Sequence, residues 1–215
     1  MAVPRRKAKP VDPKRRIPQR AGSTATVEAI YEATARILQT GGRDALNTNL
    51  IAEKTGISVG TLYGYFPNKD AILLDMARRE LDALRDLVGA ALLDETSEEP
   101  DPVRRAIRAL VKGYGRRGKV RRILMETLFA HGGSEEMARP VHEIADLVLR
   151  HRERVLPQGV SMPSGIGMFV ITRAVDSVIR TAVYDAVPFL ESRAFEDELL
   201  KLVRGYLTIE SRAPE

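Results

Sequence analysis

Hydroxyl and phenol side chains surround two glycines near residue 60. Gly60 and Gly64 are four residues apart, so they share one face of a helix, and Thr61, Tyr63 and Tyr65 lie beside them. A bare helix surface can approach a phosphate backbone or a groove wall closely, and the flanking groups can hydrogen-bond phosphates and bases. The pattern indicates contact with nucleic acid. Because two glycines weaken a short helix, a loop with incidental aromatic residues is the alternative.

Two short helices joined by a tight turn are predicted to position these groups. Ala52 is small enough for close helix approach, and Gly56, four residues later, suits a turn with positive φ. Ile57 and Leu62 would fill the corner between the helices, and Ser58 can cap the second one. This spacing is typical of a helix-turn-helix, a DNA-binding architecture.

A long helix is predicted directly after this motif. Pro67 ends the second short helix, Asn68 caps the next one, and apolar residues recur at helical spacing from Leu73 to Leu92. A helix from Lys69 to about Leu93 is longer than a three-helix head requires. It must therefore connect that head to a second part of the chain.

The segment IAEKTGISVGTLYGYFPNKDAIL, residues 51–73, resembles the DNA-binding signature of TetR-family transcriptional regulators. The family pairs I-A-x-x-x-G-[IV]-S with a G-[ST]-[LI]-Y-x-[YH]-F recognition helix and K-[DE]-x-[LI], and the resemblance extends over residues 24–75. Two positions depart from the pattern. Asn47-Thr48 replaces the usual threonine pair, and Gly64 stands where the family often has a larger side chain.

The resemblance implies an all-α protein of about nine helices. A basic arm at 1–22 would precede a helix-turn-helix DNA-binding domain at 23–68 and an effector-binding and dimerisation domain at 69–215. The partners it implies are a palindromic double-stranded DNA operator, a second copy of the chain and an unidentified small-molecule effector that releases a cytoplasmic repressor. The expected DNA contacts are Thr48, Ser58, Val59, Gly60, Thr61, Tyr63, Gly64, Tyr65 and Lys69.

Two amphipathic helices close the sequence. Apolar residues recur every three or four positions over about 171–186 and 193–209, which predicts internal core, a self-association surface, or both. The resemblance implies that these last two helices form a four-helix bundle with their copies in the second subunit. The expected interface residues are Ala174, Val175, Val178, Ile179, Ala182, Leu199, Leu202, Val203 and Tyr206.

A ligand pocket between helices four to eight is implied by the resemblance alone. Its candidate lining residues are Tyr114, Met125, Phe129, Met168 and Thr172, each of which ordinary core packing would also explain.

Other chemistry finds little support. The chain has no cysteine, and His131, His142 and His151 are spaced unlike a compact metal pair, so neither metal nor cofactor is expected. Gly113, Gly115 and Gly118 spell G-x-G-x-x-G, but helical rather than strand periodicity precedes them, so a helix–helix corner is expected instead of a nucleotide site. No apolar run reaches membrane-spanning length, so no membrane partner is expected.

Positive charge is concentrated at the N-terminus. The chain has a net charge of +5. Its first 22 residues contribute +7, so the charges of the remaining residues sum to −2. This proline-rich arm is expected to be disordered when free and to bind DNA phosphate or a minor groove, although a solvated tail without a role is the alternative. Two other functions stay open: a non-specific DNA-organising protein, and a helical enzyme with a structural helix-turn-helix.

Overall fold

Ten α-helices make up the computed structural model, which describes residues 21–115, 118–156 and 163–210. No strand occurs in these parts of the chain, and the all-α prediction is confirmed. The helices are α1 Ala21–Gly41, α2 Thr48–Thr55, α3 Val59–Tyr65, α4 Lys69–Leu93, α5 Pro102–Gly115, α6 Gly118–Ala130, α7 Ser134–Arg150, α8 Arg152–Val155, α9 Gly165–Tyr184 and α10 Arg193–Glu210.

The differences from the predicted elements are local. The expected single helix from Ser134 to about Leu156 is divided into α7 and α8 at His151, whose φ of −118° and ψ of 30° leave the α-helical region. The predicted arm lies outside the described residues except for its last two positions, which are already part of α1. None of the described helices is both long and apolar enough to cross a membrane.

The chain forms two compact units. The N-terminal unit extends to Glu80 and includes 119–137, and the C-terminal unit comprises 81–118 and the chain from Ala138 onward. The helix-turn-helix head therefore packs with the first half of α4 and with α6, which the predicted boundary at residue 68 did not include. Contacts between residues far apart in sequence explain this. One example is Arg43, which donates from Nη1 to Thr127 Oγ1 at 2.5 Å.

Apolar side chains from α1 to α4 form the core of the N-terminal unit. Ile30, Leu38, Ile51, Leu62 and Ile72 are all fully buried, and α2 packs on both α1 and α3. Burying side chains of this size stabilises the fold by about 1.5–3 kcal/mol each. The core therefore holds α3 from one side only and leaves its other face to solvent.

Helices α5, α9 and α10 pack against one another in the C-terminal unit. Ile107 and Ile179 are its most deeply buried residues. Gly113 belongs to α5 rather than to the expected corner, and a Cβ built on it would lie 2.5 Å from Leu84 Cδ1. A side chain at this position would require the end of Leu84 to move, so α5 and α4 approach each other closely at this glycine.

A buried ionic cluster fixes α10 to α5. Arg104 Nη1 donates to Glu196 Oε2 at 3.1 Å, and Arg108 Nε donates to Glu196 Oε1 at 2.8 Å. Burial raises the pKa of Glu196, but the two arginines outweigh it and hold the pKa below its ordinary value. Glu196 is therefore ionised at neutral pH, and its charge is neutralised within the unit.

Candidate nucleic-acid interface

The turn between α2 and α3 has the geometry expected of a helix-turn-helix. Gly56 adopts φ 69° and ψ 23°, and its N–H donates to Glu53 O at 3.2 Å. The N–H of Ile57 donates to Ala52 O at 3.1 Å, which completes a Schellman motif. The predicted positive φ at Gly56 is therefore confirmed, and it reverses the chain within two residues.

Helices α2, α3 and α4 are each capped by a side chain, and the caps at Ser58 and Asn68 are those predicted. Asn47 Oδ1 accepts from Leu50 N at 2.8 Å, Ser58 Oγ accepts from Thr61 N at 3.0 Å, and Asn68 Oδ1 accepts from the third residue after it at 2.8 Å. A cap of this kind contributes about 1 kcal/mol. Helix α3 has only seven residues and contains two glycines, so its cap is a large part of its local stability.

The outward face of α3 carries the residues predicted to contact DNA. Gly60, Thr61, Tyr63 and Gly64 are exposed, while Leu62, on the opposite side, is fully buried. A Cβ added at Gly64 would meet no atom within 4 Å, and one at Gly60 would meet only Ser58 Oγ, at 3.7 Å. Packing within the protein therefore does not require either glycine. Val59 and Tyr65 are half-buried at the flanks of this face.

Polar groups at the edge of this face are held in place by neighbours. The hydroxyls of Thr48 and Tyr63 are 3.2 Å apart, which links the start of α2 to the middle of α3. Lys69 Nζ donates to Leu46 O at 3.0 Å, which uses one of the three ammonium N–H groups. This bond holds the segment before α2 to the start of α4.

An aromatic and ionic cluster supports the C-terminal end of α3. The rings of Tyr31 and Phe66, the residue after α3, have centroids 5.9 Å apart, and Tyr31 donates its hydroxyl hydrogen to the buried Asp75. The guanidinium of Arg79 lies 4.7 Å from the Tyr31 ring centroid. Burial, and then the bond to Asp75, raise the pKa of Tyr31 well above its usual value. Sequence reasoning missed this cluster because its members come from α1, from the residue after α3 and from α4, which are far apart in the sequence.

The structure divides the residues predicted for the dimer interface. Five of them are buried in the core of the C-terminal unit; these are Val175, Ile179, Ala182, Leu199 and Val203. Val178 and Leu202 are 42% and 46% exposed, and Ala174 and Tyr206 are half-buried. The helical period located the apolar stripes of α9 and α10, but it did not show which side of each stripe is buried within the subunit.

The exposed apolar surface extends further toward the start of α9 than predicted. Ile166 is 78% exposed, and Phe169 and Val170 are also exposed. Together with Val178 and Leu202 they form what we call the α9–α10 face. Ile166, Val170 and Val178 lie at multiples of four residues, so a longer reading of the same periodicity could have found it.

A cavity of about 170 Å³ lies within the C-terminal unit. Met168 and Thr172 line it as predicted, whereas Tyr114 does not, although its hydroxyl donates to the lining residue Asp176. Met125 and Phe129 do not line this cavity either. Both belong to the N-terminal unit, where Phe129 is 67% exposed at the end of α6. Their apolar character suggested the cavity, but their helix packs with the head instead.

No three His, Asp or Glu side chains among the described residues come together as ligands for a metal ion. His131 Nδ1 is 2.8 Å from Thr127 O, so that ring nitrogen is occupied by a helix carbonyl.

Comparison with known proteins agrees with this geometry. Residues 30–76 match the family described as bacterial regulatory proteins, tetR family. Over 55 residues, 26% of this chain, the sequence is 38% identical to the HTH-type transcriptional repressor KstR of Mycolicibacterium smegmatis, covering 27% of that protein. The corresponding figures for KstR of Rhodococcus jostii are 36% identity over 55 residues, 26% of this chain and 26% of that protein. The chain spans about a quarter of the length of these curated relatives.

Solved structures extend the likeness to most of the chain. The fatty acid degradation regulator FadR from Bacillus halodurans superposes with a TM-score of 0.60 at 16% identity, covering 85% of this chain and 94% of that one. A putative TetR-family transcriptional regulator from Mesorhizobium loti superposes with a TM-score of 0.61 at 15% identity, covering 88% and 98%. These likenesses concern the fold alone. The match at residues 30–76, together with the geometry of α2 and α3, shows that this N-terminal segment is similar to TetR-family regulators.

Proposed function

We propose that this chain is a sequence-specific DNA-binding regulator of transcription that represses its target as a homodimer and has no enzymatic activity. The observation that carries the proposal is the outward face of α3, where two glycines that packing does not require lie between exposed hydroxyl groups. The family described as bacterial regulatory proteins, tetR family, matches residues 30–76, which include this face, and relatives described as transcriptional repressors match the chain over 55 residues. Such a protein would act on the chromosome, in the cytoplasm.

Helix α3 would enter the major groove as the recognition helix. Gly60 and Gly64 would let its backbone approach the DNA, and Thr61, with Val59 and Tyr65, would lie nearest the base edges. Four other side chains would hold phosphates and fix the register of the helix; these are Thr48, Ser58, Tyr63 and Lys69. The bond between Thr48 and Tyr63 supports this role because it limits the rotation of both side chains.

The α9–α10 face supports a homodimer. Its apolar side chains lie on two adjacent helices, and a two-fold axis would bury each of them twice. A dimer is also what a palindromic operator requires, since two recognition helices must reach successive major grooves about 34–36 Å apart. Val178 and Leu202 are the most exposed of the predicted interface residues and would take part in this contact.

A small molecule in the cavity of the C-terminal unit would regulate DNA binding. Helix α4 continues without a break from Lys69, at the helix-turn-helix, to Leu93, and Leu84 and Val88 on its second half line the cavity. A ligand that favours one position of α4 would shift the equilibrium by its difference in affinity for the two forms. Repression would then be released when the ligand binds.

Selection of bound sequences from random duplexes, followed by footprinting, tests the proposal. We expect one discrete palindromic site, whereas broad coverage would favour the DNA-organising alternative. On that site, Tyr63→Ala should weaken binding at least tenfold, because it removes both the ring and the bond to Thr48. Phe129→Ala is the matched control, since it removes an exposed ring of the same unit that lies outside α3. Equal binding by the Tyr63 variant and the control would reject the role of α3.

A further inference from the structure

The cavity of the C-terminal unit is lined almost entirely by aliphatic side chains. Helices α4, α5, α7, α8, α9 and α10 contribute them, with Leu156 and Pro163 outside the helices, and no aromatic ring of the described residues takes part. A dry engineered cavity of about 150 Å³ holds a molecule the size of benzene. The volume of about 170 Å³ found here therefore suits a ligand with about six to eight carbon atoms.

The positive charge in the lining is already neutralised. Arg85 donates from Nε to Asp86 Oδ1 at 2.9 Å, and from Nη1 to Glu143 Oε2 at 2.7 Å and to Asp82 Oδ1 at 3.3 Å. The bond to Glu143, and then the bond to Asp86, hold the pKa of Arg85 above its ordinary value. A ligand carboxylate would have to displace one of these three carboxylates in order to pair with the Arg85 guanidinium. The cavity is therefore unfavourable for an anion.

The negative charge in the lining is also occupied. Asp176 accepts the hydroxyl hydrogen of Tyr114, and its Oδ2 lies 4.0 Å from Arg180 Nε. A cationic ligand would share this carboxylate with a guanidinium of the same sign, which lowers the gain. Neither sign of ligand charge is thus favoured inside the cavity, where desolvation of an ion is costly.

The polar lining groups on α9 accept hydrogen bonds. Thr172 Oγ1 donates its hydrogen to Met168 O at 2.6 Å, so the oxygen has only lone pairs to offer to a ligand. The carboxylate oxygens of Asp176, one turn further along α9, likewise accept. A ligand hydroxyl can donate to these groups, whereas an aldehyde or ketone of the same size cannot.

We propose that this cavity binds an uncharged aliphatic molecule of about six to eight carbons carrying one hydroxyl group, which donates to Thr172 and Asp176. This inference rests on the proposed ligand-responsive function and names the chemical class of its ligand. The apolar lining determines the length of the chain, the paired charges exclude ions, and the acceptors on α9 set the position of the hydroxyl.

Isothermal titration calorimetry of the full chain tests this with a series of primary alcohols from butanol to octanol. Each added methylene is worth about 0.8 kcal/mol when buried, so the affinity should rise about fourfold per carbon until the cavity is full. Octanoate and octylamine should bind at least tenfold more weakly than 1-octanol. Equal binding of either ion, or an affinity independent of chain length, would overturn the proposal.

Three variants locate the site. Ala106→Leu fills the cavity from α5 and should abolish alcohol binding, whereas Ala194→Leu places the same side chain on an exposed position of α10 and should not. Thr172→Val keeps the shape but removes the acceptor, and should weaken 1-hexanol about fivefold. Unchanged titrations with Ala106→Leu or Thr172→Val would contradict the assignment.

Binding of the selected operator, measured on the same samples, separates the two proposals. DNA binding without alcohol binding would reject the ligand class and leave the regulator intact. Alcohol binding without DNA binding would reject the regulator alone.

Discussion

Replacing Gly60 and Gly64 by alanine is expected to stabilise the protein and to weaken its binding to DNA. Both glycines lie in α3 outside the positive-φ region, so alanine can adopt their conformation. A Cβ at Gly64 would meet nothing within 4 Å, and one at Gly60 would meet only Ser58 Oγ at 3.7 Å, an ordinary contact. No steric cost within the protein opposes either substitution.

The size of the stabilisation follows from the helical backbone. Alanine in place of an exposed helical glycine contributes about 0.5–1 kcal/mol, so the double variant should gain about 1–2 kcal/mol. For a chain of this length that corresponds to a melting temperature higher by about 2–8 °C. On DNA the sign reverses, because two methyl groups would occupy the surface that the backbone presents to the groove. A loss of at least tenfold in affinity is expected.

Thermal unfolding by circular dichroism and fluorescence anisotropy with the selected operator measure the two effects on one sample. Gly115→Ala is the matched control, since a Cβ there also meets nothing within 4 Å but the residue ends α5 in the C-terminal unit. It should leave the affinity for DNA unchanged. A double variant that binds as tightly as the unmodified chain would refute the reasoning, since the glycine face would then not touch DNA.

Four further outcomes are expected. Tyr31→Phe should lower the free energy of unfolding in urea by about 2 kcal/mol. Because folding raises the pKa of Tyr31, the stabilisation by its hydroxyl is fully present below the unfolded-state pKa of about 10 and is lost at higher pH. Glu196→Gln should also lower the free energy of unfolding by about 2 kcal/mol. Because folding lowers the pKa of Glu196, the stabilisation by its carboxylate is present above about pH 4.3 and is lost on acidification, and urea unfolding at several pH values measures this loss. Leu202→Asp should give monomers in sedimentation velocity, and Leu149→Asp, at a leucine on α7 that is also exposed, should not. Deleting residues 1–20 should reduce the steepness of log K against log salt by about 0.9 for each phosphate that the arm neutralises, and an unchanged slope would exclude the arm from the interface.

Features encoded within a few residues could be predicted from the sequence. The caps at Asn47 and Ser58 bond amides three residues away, and the turn at Gly56 depends on its own φ and on its neighbours. Composition and short-range spacing are sufficient for such features, and they define the helix-turn-helix almost completely.

Features that depend on distant partners could not be predicted. Tyr31 and Asp75 are 44 residues apart in the sequence, and Arg43 and Thr127 are 84 residues apart, so no local sequence pattern predicts either hydrogen bond. The apolar stripe of α9 could be recognised in the sequence. Which of its residues are buried and which are exposed depends on the other helices that pack against it, and the sequence pattern does not show these.

The close approach of Gly113 to Leu84 determines which side of the cavity can move to admit a larger ligand. A Cβ built on Gly113 would lie only 2.5 Å from Leu84 Cδ1, so Leu84, which also lines the cavity, has little room to move toward α5 when a larger ligand enters. On the α9 wall, Met168 is unbranched and changes rotamer at low cost. Ligands of increasing width should therefore displace α9 first, while α4 and α5 keep their positions relative to each other. A crystallographic series with progressively branched alcohols would record that one-sided expansion.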